Sequence, residues 1–222
     1  MKEFLQNKEN RILLYLTLVT AIYPICMTYK KLMAIFSVNS FYAVILHYLS
    51  VFILFFAIPL FILKLYKEKP SDYGLNFKNF SSGLKLILIF MPIIFILIWI
   101  SSYQKDFQVE YPMTKSIIGS LKGFIIVESI YLLYYIGWEF LFRGLVLFGL
   151  AKKNGIWIAI MIETIPSTIL HYNKPSGEII LALIAGFILG YYALKYKTIF
   201  FAIAIHWAAG LMMDGFVILH LK

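Results

Sequence analysis

Glu139 and Arg143 stand four residues apart in YYIGWEFLFRG, residues 134–144, a stretch otherwise apolar enough to lie in a bilayer. That spacing puts both side chains on one face of a helix, where they can pair. Four further positions share the anomaly: His171 ends one apolar run, Glu178 opens the next, and His206 and Asp214 lie inside the last. Ionisable groups at membrane depth are costly and usually face a bundle interior or a wet cavity. Two imidazoles with several carboxylates in a dry bundle suit general acid–base chemistry on a water, or a divalent metal such as zinc. Spacing alone leaves both open, although the H-E-x-x-H string of many zinc-binding helices is absent.

Each residue also has a plainer reading. Glu139 with Arg143 is then a structural ion pair, His171 an interfacial histidine before the turn YNKPSGE, and Glu178 an acid favouring a helix N-terminus. His206, followed by WAAG, is a helix–helix hydrogen bond. Asp214, between GLMM and GF, has no loop to explain it. His47 and His220 lack carboxylate company in the sequence and read as structural.

The elements that must position these groups follow from composition. The chain is 62% hydrophobic and 14% charged, with a mean hydropathy of +0.85, against about 45–50% apolar and 25% charged in ordinary soluble domains. This is the composition of an all-α, polytopic membrane helix bundle. Seven apolar runs approach the roughly 20 residues needed to cross a bilayer: residues 12–29, 41–63, 84–100, 117–150, 156–170, 179–194 and 199–219. The fourth is too long for one perpendicular crossing, so it must tilt, bend near Gly137, or begin as an interfacial segment around Lys122 and Glu128. Residues 1–115 form the N-terminal helices and residues 116–222 the motif-bearing core of one integral membrane domain. The N-terminal run lacks a cleavage site and reads as a retained first helix.

A net charge of +9 could indicate nucleic acid, but the lysines cap apolar blocks and form no basic stripe. They read as membrane anchors. With alternating crossings, twelve cationic residues fall on the N-terminal side, among them Lys2 and Lys78, and six on the other, among them Lys222. That places the N-terminus in the cytoplasm. The single cysteine, Cys26, rules out an intramolecular disulfide framework and reads as a small buried hydrophobe. At about 1.5 Å per residue, Glu139, His171, Glu178 and Asp214 lie roughly 20–26 Å from the cytoplasmic ends of their helices. Arg143 and His206 lie at about 12–13 Å, a second layer that tilt would merge with the first.

GWEFLFRG, IPSTILH and IHWAAGLMMD, in that order over residues 134–216, resemble the three-motif signature of the intramembrane CPBP family. That family includes the type II CAAX prenyl proteases and bacteriocin-processing enzymes, and the first motif resembles a WEF–FRG variant branch. The family pattern is E-E-x-x-x-R, F-x-x-x-H and H-x-x-x-N/D. Glu139 and Arg143 match the first motif, with Trp138 at the first glutamate. His171 matches the second, with Ser167 at the aromatic position. His206 matches the third, with Gly210 at the amide or acid and Asp214 one turn beyond.

The resemblance implies a glutamic-type intramembrane endopeptidase of a bacterial cell membrane, without cofactor, acting on a peptide or lipidated peptide among membrane lipids. It implies Glu139 as base, Arg143 as its positioning partner, His171 polarising the water and His206 donating to the oxyanion. Glu178 and Asp214 are supporting groups. Trp138 and Gly210 keep open a catalytically impaired immunity or scaffold protein of the same fold. The intramembrane acids and histidines keep open a small proton-coupled transporter.

Overall fold

The computed structural model describes residues 6–77 and 79–221, and only the backbone of Cys26 and Phe80; Lys2, Lys78, Lys222 and the Cys26 side chain lie outside the described residues. Every regular element among the described residues is helical. α1 (Lys8–Ile22) starts on Asn7, whose side chain accepts from the amides of Glu9 and Asn10, meeting donors that the first helical turn cannot satisfy. A π turn over Tyr23–Met27, which contains Pro24, separates it from α2 (Tyr29–Phe36). α3 (Ser40–Leu65) and α4 (Phe80–Ser101) follow, then the short α5 (Lys105–Glu110). α6 runs from Leu121 to Asn154. α7 (Ile156–Ile169), α8 (Ser176–Tyr196) and α9 (Phe200–His220) complete the bundle.

α6 is the most buried of the long apolar helices and packs against α3, α7 and α9, while α7 also packs on α8 and α4 on α9. A helix apolar on all sides belongs at the centre of a bundle. α4 instead turns Leu88, Ile89, Ile93 and Ile96 outward. An exposed apolar face of that extent suits lipid and not water. The chain is an integral membrane protein.

Among the described residues, five helices are long and apolar enough to cross a bilayer, or six if α1 and α2, bent by 63°, count as one span. Of the seven runs expected to cross, the fifth is not counted among these because its helix, α7, has 14 residues, a rise of about 21 Å against a hydrocarbon core of about 30 Å. The long fourth run resolves into α6, whose residues Phe140–Phe148 form a π segment with Phe140 to Leu147 all buried. π segments inside α-helices occur frequently at functional sites. Glu128 is 3% exposed and faces the interior, so of the two charged residues at that helix start Lys122 alone is exposed.

Candidate active site

Glu139 ends the α-helical part of α6 and Arg143 lies in the π segment that follows. The Arg143 Nη1 group donates to Glu139 Oε1 at 3.3 Å. The same oxygen accepts from His206 Nδ1 on α9 at 2.6 Å. The two depth layers expected from sequence are therefore one. The other edge of the guanidinium, Nε, lies 3.4 Å from Glu163 Oε2 on α7. Glu139 and Glu163 are fully buried and Arg143 nearly so. At this depth a charge left alone would cost several kcal/mol, about as much as a broken buried pair. The plain readings of Glu139–Arg143 as an ion pair and His206 as an interhelical hydrogen bond are both observed contacts, and they belong to one cluster.

A cavity of about 440 Å³ opens beside this cluster. Arg143, His171, His206 and Glu178 contribute its polar wall; α4 and α8 contribute an apolar one through Phe90, Ile94, Leu181 and Leu189 among others. His171 Nδ1 contacts the Ser167 carbonyl at 2.8 Å. A carbonyl only accepts, so the proton is on Nδ1 and the lone pair on Nε2. Ser167, at the family's aromatic position, is buried and lines the cavity. Trp138, also in the wall, meets His171 edge-on, and Tyr135 lies against His206 with ring centroids 4.4 Å apart. A Cβ on Gly210 would overlap the Tyr135 hydroxyl and come within 2.9 Å of Tyr131. Glycine at the third-motif position is thus what lets two tyrosines of α6 approach α9.

Glu178 and Asp214 divide. Glu178 lines the same cavity and accepts from the Tyr111 hydroxyl at 2.8 and 2.7 Å. Burial, then the Glu178 charge, pushes the Tyr111 phenol well above its ordinary range, so it remains a donor. Lys174 pairs with Glu110 at 2.9 Å and lies over the Tyr111 ring. Asp214 does not line the cavity; it faces Glu128 of α6. His47 and His220 have local partners: His47 contacts the Met27 carbonyl at 2.7 Å, and His220 stacks on Tyr103 at 3.8 Å beside Ser102.

Glu163 was not singled out from sequence, yet it belongs to the cluster. The available signal was its spacing: Glu163, Ser167 and His171 recur every four residues in an apolar helix, so they share one face. Among the described residues, no group of three or more His, Cys, Asp or Glu is placed to hold a metal ion.

Fold and site together define a polytopic membrane protein whose central helix carries a buried acid–arginine–histidine cluster against a largely apolar cavity. Residues 119–212 match the family model described as type II CAAX prenyl endopeptidase Rce1-like, a segment that holds Glu139, Arg143, His171, His206 and Gly210 and ends two residues before Asp214. No curated protein and no solved structure matches the chain.

Proposed function

We propose that the protein is an intramembrane endopeptidase that hydrolyses a peptide bond of a membrane-associated or lipidated peptide, in a bacterial cell membrane and with its N-terminus in the cytoplasm. The reading rests on one observation above the others: Glu139 Oε1 meets His206 Nδ1 at 2.6 Å, while His206 and His171 line one cavity. Glu139 itself does not line that cavity, so its charge acts through His206. The neutral His171 Nε2 takes a proton as the water oxygen bonds to the carbonyl carbon. His206, oriented by Glu139 through Nδ1, donates from Nε2 to the developing oxyanion, a role in which a preorganised donor in a dry site is most effective. When the intermediate collapses, the C–N bond breaks and His171 returns its proton to the leaving amine. Written this way, the reaction needs no cofactor. Glu178, held by Tyr111, orients substrate at the cavity wall.

The test uses purified protein in liposomes with an internally quenched, farnesylated peptide ending in a Cys-aliphatic-aliphatic-X sequence. Cleavage by the wild type that is lost in His171→Gln and His206→Gln supports the reading; equal rates in all three would remove both imidazoles from the reaction. A binding-only scaffold is the competing reading, favoured by Trp138 and Gly210, whose positions are taken up by aromatic packing. It requires Glu139, His171 and His206 all to be replaceable without loss of the cellular phenotype.

A further inference from the structure

Arg143 sits between two carboxylates on different helices, Glu139 at 3.3 Å on its own helix and Glu163 at 3.4 Å on α7. The second acid has a built seat. A Cβ on Gly190 of α8 would come within 2.7 Å of Glu163 Oε1, and one on Gly186, a turn earlier, would overlap Thr164. These two glycines let α7 and α8 approach at the level of the carboxylate. Thr164 Oγ1 donates to Glu163 Oε1 at 3.0 Å. An apolar residue at position 163 would avoid the desolvation cost of a second acid on a single guanidinium, so packing alone does not account for Glu163.

We propose that Glu163 is a positioning residue of the active site: it fixes the Nε edge of Arg143, Arg143 fixes Glu139, and Glu139 sets the His206 ring that faces the cavity. The inference rests on the hydrolytic reading above and adds a fourth member, from α7, to a chain that ends on α9. Glu163 touches neither cavity nor substrate. Its effect belongs in the rate of the chemical step and in the state of the His206 ring, not in substrate affinity.

The experiment pairs cleavage of the farnesylated quenched peptide in liposomes with ¹⁵N resonances of histidine-labelled protein in detergent, the His206 signals being assigned by their loss in His206→Gln. Glu163→Gln is expected to lower kcat on the order of 10–100-fold, the range seen when an outer partner of an active-site group is removed. KM should stay within about twofold and the His206 nitrogen signals should move, with partial recovery in Glu163→Asp. Gly190→Ala, which keeps every charge but crowds the carboxylate, should lower kcat in the same sense and serves if Glu163→Gln fails to fold. Unmoved His206 signals in the folded variants, with any kcat at the wild-type value, overturn the proposal. If the wild type cleaves nothing while the His206 signals still move, the coupling stands and the hydrolytic reading fails.

Discussion

Trp138 meets His171 edge-on, ring centroids 5.2 Å apart at 81°, at the position where the resembled family carries its first glutamate. The same indole packs on Phe142 at 5.1 Å and Tyr134 at 5.6 Å and is almost completely buried. Trp138→Ala should therefore cost about 3–5 kcal/mol, as for other buried aromatics truncated to alanine, read as a lowered thermal midpoint in detergent. Trp138→Glu restores the family's residue but places a carboxylate among Tyr23, Phe55 and Phe142. It should lower stability without raising cleavage. A gain in activity would show that the tryptophan had displaced a base the site still accommodates.

Gly210 and Tyr135 should behave as a coupled pair. Gly210→Ala puts a methyl group on the Tyr135 hydroxyl and should cost about 1–3 kcal/mol, as overpacking does. Tyr135→Phe removes the overlapping oxygen and should recover part of that loss. A double-mutant cycle on thermal unfolding measures the coupling; strict additivity would mean that the two helices simply move apart.

At Glu139 charge and shape can be separated. Glu139→Gln keeps the volume but removes the charge that holds both Arg143 and His206. Because that charge acts through His206, cleavage should fall by at most about 10²–10³-fold, the weight of one oxyanion donor. Glu139→Ala also leaves Arg143 with Glu163 alone, and breaking such a buried pair costs about 3–5 kcal/mol. Its loss should appear in the thermal midpoint as well as in rate. Equal rates for Glu139→Gln and the wild type would remove the carboxylate from the chemistry.

The membrane class, the helical content and three residues of the cluster, Glu139, Arg143 and His206, were legible because charge inside an apolar run is conspicuous. Helix count was less so: residues 156–170 have the composition of a span, but the 14-residue helix they form is too short to cross. Asp214 was read as a supporting group from its depth, and depth along an axis carries no azimuth; the α9 helix turns it to Glu128, while His206 on the same helix meets Glu139. Glu163 escaped notice because its partner is 20 residues away in sequence and reaches it only through packing of α7 on the π segment. The four-residue spacing of Glu163, Ser167 and His171 reports a shared face but not the partner that face meets.

Outside the bundle, Glu68 ties the first helix to the loop after α3 and gives stability a defined pH dependence. Its carboxylate accepts from Tyr73 and pairs with Lys8 at 3.1 Å and Arg11 at 2.9 Å. Partial burial pushes its pKa up, but the Tyr73 and Lys8 hydrogen bonds, with the Lys8 charge and Arg11, outweigh that and hold it below the ordinary 4.5. A carboxylate whose pKa is lower folded than unfolded stabilises fully above the unfolded value, and the contribution is lost as pH falls through the folded one. The thermal midpoint of Glu68→Gln should therefore lie below that of the wild type at pH 7, and the gap should close as pH drops beneath about 4.5. Because the site is partly exposed, added salt should narrow the gap at pH 7 as well. A gap that stays constant from pH 7 down to about pH 3 would mean that shape, not charge, holds α1 in place.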